Sequence, residues 1–387
     1  VTVLYFADTR FPIERANGAQ TMATCRALAL RGHDVRLIVR PDTASPPRDP
    51  FAYYGVSQPE QMTIDMIDHA PGPLGRVRFL AGAFRRCAAR PGVILTRDLG
   101  LASWIARTPM LRPRLVYESH GLGDVVSAEM PQLLGRPSTA ASAAKLRRLA
   151  RREEIVWRRA AAYVTITRAL ADDLRQRFGV RDHVHVVPDG GPQPVHLPVP
   201  PRPRPLVAYA GHLYPWKGVD VFVEALASAP DVDGLVIGGH PAENDLQRVR
   251  LLAASHGVAD RVTFTGHLPP SEVISRLSEA SVLVLPNTAS SISERYTSPL
   301  KLFEYLALGR AIVASDFPAI REVLTDNVTA LLVPPGDVRA MAEAINRIAR
   351  DEALATRLAD AAHALAPQYT WESRAERLES ALRGAAA

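Results

Sequence analysis

Cysteine is scarce in this chain, with two in 387 residues, Cys25 and Cys87. They lie far apart, without a Cys-x-x-Cys pair or a Cys/His cluster around them. That excludes a disulfide framework and a structural zinc site, and leaves two buried reduced thiols suited to a reducing cytoplasm. Aromatic residues make up only 6%, and no recognisable nucleic-acid module interrupts the pattern, so nucleic acid is not expected as a partner. No apolar run approaches the length of a membrane span, and the opening VTVLYFADTR has neither a basic leader nor a signal-peptide core. A cytoplasmic protein is expected, peripheral on the inner face of the membrane if it meets lipid at all. Solenoid-type repeats are also missing.

What is present is an ordinary globular balance, 47% hydrophobic and 22% charged. At this length two domains of normal size are expected, each with its own core. A net charge of +6 with a pI near 9.5 calls for an anionic partner. Charge alone does not choose between nucleotide phosphate, nucleic acid and a lipid headgroup.

The chain opens with VTVLYFA, an apolar run of strand length. The loop carrying Asn17, Gly18 and Ala19 follows, then a helical stretch ending at a glycine, then a second strand, HDVRLIVR. This order predicts a right-handed parallel unit. The runs VILT, RLVYES, AYVTIT and VHVVP extend it to about Pro188. The segment PDGGPQPVHLPVPPRPRP cannot continue a sheet and reads as a stiff connector. Beyond it the pattern restarts, with strands at LVAYAG, GLVIGG, VTFTG, SVLVLP, AIVAS and ALLVP. The reading is α/β, with a Rossmann-like domain over 1–188, a Pro-rich linker over 189–205, a second Rossmann-like domain over 206–369 and a terminal helix over 370–387.

Two clusters carry chemistry. Gly211-His212-Leu213-Tyr214-Pro215-Trp216-Lys217-Gly218 lies between a buried strand and a helix. Backbone N–H groups there, with the Lys217 ammonium beside them, make an anion site suited to a diphosphate. A plain turn with a solvated lysine is the competing reading. The second cluster runs from Ser293 to Gly309, with Ser298 as a helix cap, Pro299 at the first helical position and Gly309 at the stop. This helix begins at the carboxyl edge of the sheet, where open parallel sheets bind ligands. Glu304, between Phe303 and Tyr305, is placed either to hold ribose hydroxyls or to pair with Arg310 or Arg321.

Together these segments resemble the family 4 retaining glycosyltransferases of the GT-B fold, over nearly the whole chain. The resemblance rests on the Gly18-Ala19 loop with LALRGHDV, on Tyr117-Glu118-Ser119-His120-Gly121, on GHLYPWKG, and most of all on SPLKLFEYLALGRAIVASDFPAIREVL. It implies two Rossmann-like domains facing across a cleft, with the terminal helix crossing back to the first. The amino-terminal domain would be the acceptor side and the second the nucleotide-sugar donor side.

By the resemblance, Lys217 holds the donor diphosphate, Glu304 the ribose, and the amides of Leu300 and Lys301 the distal phosphate or sugar. His120 faces the transferred sugar. Gly18 permits close approach to donor or acceptor, or is a plain turn glycine. His212 belongs to the diphosphate motif, and His267, in TFTGHLPP, borders the nucleobase. No metal and no cofactor beyond the donor are implied. Two departures stand out: the family often has arginine where this chain has His212, and the position that carries the family's first paired glutamate is Tyr296, with Glu294 two residues out of register.

Arg97 and Asp98 follow an amino-domain strand and read as an ion pair serving structure in preference to an acceptor contact. The basic stretch KLRRLARR, residues 145–152, with Arg76, Arg78, Arg85 and Arg86, reads as either a solvated face or a surface for anionic lipid. The lipid alternative would suit a glycan or lipid-linked acceptor. Two alternatives stay open: a nucleotide-sugar 2-epimerase on the same fold, and a noncatalytic nucleotide-sugar-binding subunit.

Overall fold

In the computed structural model, which describes residues 1–67, 73–240 and 244–386, the chain forms two compact units. Unit 1 comprises Val1–Ala128, Ala141–Gly190 and Trp371–Ala387, and unit 2 comprises Glu129–Ala140 and Gly191–Thr370.

Unit 1 is built on a seven-stranded parallel sheet. Its strands are β1 (Thr2–Arg10), β2 (Asp34–Arg40), β3 (Met62–Met66), β4 (Val93–Thr96), β5 (Leu115–Ser119), β6 (Ala162–Thr165) and β7 (Val184–Val186), in the order β3-β2-β1-β4-β5-β6-β7. Central strands such as β4, β5 and β6 are buried along their whole length. Helices covering both faces of a parallel sheet produce that pattern, which is why these strands read as unbroken apolar runs. The helix Ala16–Leu30 packs Met22, Cys25, Leu28 and Ala29 into the core beside Ala375, Leu378 and Leu382 of the terminal helix Trp371–Ala386. Cys25 and Cys87 are both buried free thiols, and burial pushes both thiols up, Cys87 to about 11.

Unit 2 repeats the plan on six parallel strands. These are β8 (Leu206–Ala210), β9 (Asp233–Ile237), β10 (Val262–Gly266), β11 (Val282–Leu285), β12 (Ala311–Ser315) and β13 (Leu331–Val333), in the order β10-β9-β8-β11-β12-β13. In each sheet the strand order reverses at one point, between β1 and β4 and between β8 and β11. Loops at the carboxyl ends there diverge and leave a crevice, the usual ligand position in open α/β sheets.

The proline-rich segment read as a connector lies along unit 2. Gly191 N donates to Tyr369 O at 2.8 Å, Val195 N to Ala307 O at 2.9 Å, and Arg310 Nη2 to Leu197 O at 2.8 Å. Proline removes sheet donors but leaves carbonyls free, so the segment is held through its neighbours' donors and its own non-proline amides. No described helix is long and apolar enough to cross a membrane.

Candidate functional site

In unit 2 the switch point is built by two loops that touch. After β8 the chain makes a short 3-10 turn, Pro215–Lys217, and Gly218 follows at φ 72° before the helix Val219–Ala225. A Cβ at Gly218 would lie 1.7 Å from the carbonyl oxygen of Pro286, which follows β11. Only glycine accepts both the left-handed backbone and that approach. The consequence is a fixed position for Lys217, whose Nζ lies 3.7 Å from the Trp216 ring centroid.

The helix Leu300–Leu308 brings the second set. Pro299 occupies its cap position instead of the first helical position. Proline's fixed φ suits the cap as well, and Leu302 N bonds back to Pro299 O at 2.9 Å. The amides of Leu300 and Lys301 therefore head the helix, where backbone donors and the helix dipole favour an anion. Tyr305 fixes the helix against the sheet: its hydroxyl accepts from Ala210 N at 3.2 Å and donates to Val284 O at 3.4 Å. Gly309, at φ 58°, ends the helix.

Lys301 reaches back over the sheet, with Nζ 4.0 Å from the Tyr209 ring centroid and without a hydrogen-bond partner among the described residues. Burial pushes its ammonium well below the usual lysine range, the neighbouring Lys217 pushes further, and Glu304 opposes both. Burial lowers Lys217 to about 8 and raises the Glu304 carboxyl to about 7, the latter against the pull of Lys301. These three side chains thus share one electrostatic neighbourhood. Two crowded lysines beside helix-start amides suit a multiply charged anion chemically, because such an anion would restore the charge that burial disfavours. Neither sequence-level competitor takes Glu304: Arg321 pairs with Asp316 at 2.5 Å, and Arg310 donates to the carbonyls of Leu308, Gly309, Leu197 and Ser278.

His212 stacks on Tyr214, centroids 5.0 Å apart, while its carbonyl accepts from the Tyr209 hydroxyl at 2.6 Å. His267 is exposed beyond β10 and lies 5.6 Å from His240, ring to ring. Tyr296 is buried, and Glu294 lies on the short helix Ser291–Arg295.

In unit 1, Gly18 sits in the first turn of the helix Ala16–Leu30 and not in a turn before it. A Cβ there would lie 2.3 Å from the Tyr54 hydroxyl and 2.4 Å from Ile13. Packing against this chain's own residues accounts for the glycine. His120 follows β5, with its side chain 22% exposed and Nε2 2.6 Å from Glu118 Oε1. Arg97 and Asp98 do not pair with each other. Asp98 takes both guanidinium nitrogens of Arg76, at 3.0 and 2.7 Å, and caps Leu101 N, whereas Arg97 donates to Gln20. Adjacent residues at a strand end point in different directions, so sequence adjacency misleads here.

Sequence reasoning passed over Tyr209, Glu118, Gln20 and Arg374. Glu118 alone offered a signal, as a charged residue inside an otherwise apolar strand two positions before His120.

Known proteins resemble this chain in sequence and fold. Residues 17–190 match the family described as Glycosyl transferase 4-like domain, and residues 204–351 match Glycosyl transferases group 1. The D-inositol 3-phosphate glycosyltransferase of Xylanimonas cellulosilytica is 27% identical over 90% of this chain and 87% of its own length. The alpha-D-kanosaminyltransferase of Streptomyces kanamyceticus is 28% identical over 56% of this chain. A GDP-mannose-dependent alpha-(1-6)-phosphatidylinositol monomannoside mannosyltransferase of Mycobacterium tuberculosis is 33% identical over 47%. The chain spans about half the length of these last two relatives, 50% and 48%. Among solved structures, sucrose-phosphate synthase from Thermosynechococcus elongatus superposes with a TM-score of 0.77 over 99% of this chain and 98% of its own, at 22% identity. An Anabaena protein, HepE, solved with UDP and glucose, gives 0.73 over 98% and 99%, at 18% identity. These likenesses establish the GT-B fold.

Proposed function

We propose, for a chain made of two family 4-like glycosyl transferase domains on a GT-B fold, that the protein moves a sugar from a nucleotide-diphosphate donor to a glycan or lipid-linked acceptor with retention of anomeric configuration. The observation that carries this reading is the trio in unit 2: Lys217 and Lys301, crowded and depressed, beside the amides of Leu300 and Lys301 and the carboxyl of Glu304. Lys217 and the helix-start amides stabilise the departing diphosphate, doing without a metal the work of charge neutralisation. Glu304 accepts hydrogen bonds from the ribose diol. His120 of unit 1 faces the transferred sugar. No protein base is assigned, since in a front-face retaining transfer the leaving phosphate takes the acceptor's proton.

Support for the donor class comes from the solved relative holding UDP and glucose and from the mannosyltransferase whose name specifies GDP-mannose. Support for a lipid-linked acceptor comes from that same name, phosphatidylinositol monomannoside, and from the helix Ala143–Arg159, which exposes Lys145, Arg147, Arg148 and Arg151. We read that face as a peripheral contact with anionic lipid in the cytoplasm.

The test is nucleotide release from UDP-, GDP- and ADP-sugars, with and without membrane lipid extract, by the native chain and by Lys217→Ala and Glu304→Ala. Acceptor-stimulated release of one nucleotide, lost in both variants, supports the transferase. Binding of a nucleotide-sugar without release in any condition points instead to a noncatalytic subunit, and release of a C2-epimerised donor without acceptor to an epimerase.

A further inference from the structure

Glu118, the penultimate residue of β5, is fully buried and fully engaged. Its Oε1 accepts from Gln20 Nε2 at 2.8 Å and lies 2.6 Å from His120 Nε2. Its Oε2 accepts from Arg374 Nη2 at 2.7 Å. Arg374 comes from the terminal helix, is itself fully buried, donates through Nη1 to Thr24 Oγ1 at 3.0 Å, and holds Nε 3.7 Å from Asp189 Oδ1. Arg97 Nε completes the surroundings, 3.9 Å from Glu118 Oε1. A large charged residue is rarely buried without a task, and this one spans the distance between the terminal helix and the strand end that carries His120.

Burial alone would raise the Glu118 carboxyl, but Arg374, His120 and Arg97 hold it well below the usual carboxylate range, so it is ionised at neutral pH. Burial and then Arg97 lower the His120 imidazole, against the opposing pull of Glu118 and Asp189, so the ring is neutral there. A neutral ring whose Nε2 faces an unprotonated carboxylate must carry its hydrogen on Nε2. With Nε2 committed, Nδ1 is the ring atom left for a bound molecule, and it accepts.

We propose that Glu118 and Arg374 are positioning residues for His120: the buried Arg374–Glu118 pair fixes the Nε2–H tautomer and the ring's angle, so that Nδ1 is presented as a hydrogen-bond acceptor to a sugar hydroxyl. The sugar in this statement rests on the transferase reading of His120 given above; the tautomer does not. The three groups Glu118, His120 and Asp189 also place ligand atoms within 4.8 Å of one another, a spacing that a cation could use. The guanidinium bonded to Glu118 and near Asp189 already supplies the positive charge, and a metal would have to displace it.

The substitution Glu118→Gln separates positioning from bulk. Arg374 can only donate, so it draws the amide oxygen to itself and turns the amide NH₂ toward His120 and Gln20; Gln20 Nε2 loses its acceptor, and His120 then accepts at Nε2 and carries its hydrogen on Nδ1. Histidine-selective ¹⁵N labelling of the full chain at pH 7.5, with the His120 signals assigned by their loss in His120→Ala, reads both rings nitrogen by nitrogen. The expected result is a pyrrole-type Nε2 and a pyridine-type Nδ1 in the native protein, exchanged in Glu118→Gln. With the cognate sugar donor and acceptor, kcat should fall about 100-fold, the usual consequence of a misplaced group, while donor KM stays within threefold.

A native His120 that is protonated on Nδ1, or on both nitrogens, overturns the proposal without any variant having to fold. So does a Glu118→Gln protein that is folded and keeps kcat within threefold. Failure of the native chain to release nucleotide from any donor would count against the transferase reading instead, because the ring spectrum is read without turnover.

Discussion

The two units bury charge in opposite ways. In unit 1, Glu118 meets Arg374, Gln20 and His120 at hydrogen-bond distance, and its carboxyl is driven down, although Arg374 Nε makes no hydrogen bond among the described residues and lies 3.7 Å from Asp189 Oδ1. In unit 2, Lys217 and Lys301 crowd each other, Glu304 is raised to about 7, and Lys301 Nζ has no partner among the described residues. A satisfied network rigidifies what it holds; a frustrated one is stabilised by a ligand of opposite charge. On the proposals above, unit 1's cluster orients and unit 2's binds.

Breaking the satisfied side should cost most. Arg374→Met strands a fully buried carboxylate, and urea unfolding should show a loss of about 3–5 kcal/mol. Adding Glu118→Leu should restore most of it, since removing both partners is far less costly than removing one. A small loss in the single variant would mean that solvent reaches Glu118 and the network is not what fixes His120.

On the frustrated side, Lys217→Ala should leave stability nearly unchanged and lower acceptor-stimulated nucleotide release by about 10²–10³-fold, the range for deleting one group that stabilises developing negative charge. Destabilisation comparable to that of Arg374→Met would erase the distinction between the clusters.

Glu304→Gln should weaken nucleoside diphosphate binding about tenfold at pH 8 and less at pH 6, because with a carboxyl near 7 the native side chain is already mostly protonated at the lower pH. Equal weakening at both values would place its role elsewhere than in accepting hydrogen bonds.

The smallest effect concerns a satisfied site at the surface of unit 1. Arg31 Nε sits 2.5 Å from Glu379 Oε1, and Arg31, then His33, hold the Glu379 carboxyl at about 2 against burial. A depressed carboxyl stabilises above its unfolded value, near 4.5, and that contribution fades as pH falls toward 2. Glu379→Gln should therefore cost about 1–2 kcal/mol at pH 7 and about a quarter of that at pH 2.5, by chemical unfolding.

Much of this division was visible in the sequence, for a physical reason. Strands buried on both faces, such as VILT and AIVAS, are unbroken apolar runs, and the glycines at 211, 218 and 309 punctuate the loops they shape. β3, MTIDM, did not announce itself because only Met62 of it is fully buried, which leaves a mixed pattern. The residues of the unit 2 trio stood out because Lys217 lies in a local motif and Lys301 and Glu304 lie one helical turn apart. Arg374 was not, since it meets a partner 256 residues away and local spacing carries no trace of that. Gly18 read equally as a turn glycine or a point of close ligand approach, and the space for its missing Cβ is filled by Tyr54 and Ile13, a contact that only the fold brings about.

The central claim, that unit 2 holds its lysines for a diphosphate, is tested most directly by calorimetric titration of UDP, GDP and ADP into the native chain from pH 6 to 9.5, in buffers of differing ionisation enthalpy. With the Lys217 ammonium depressed to about 8 by burial, an anion that restores its charge should bind with proton uptake approaching about one proton above pH 8, and affinity should fall as pH rises past that value. Lys217→Ala should lose the part of the uptake and of the pH dependence centred near pH 8, leaving the part that Lys301 contributes. Affinity that is flat across the range, or proton uptake undiminished in Lys217→Ala, would contradict the account.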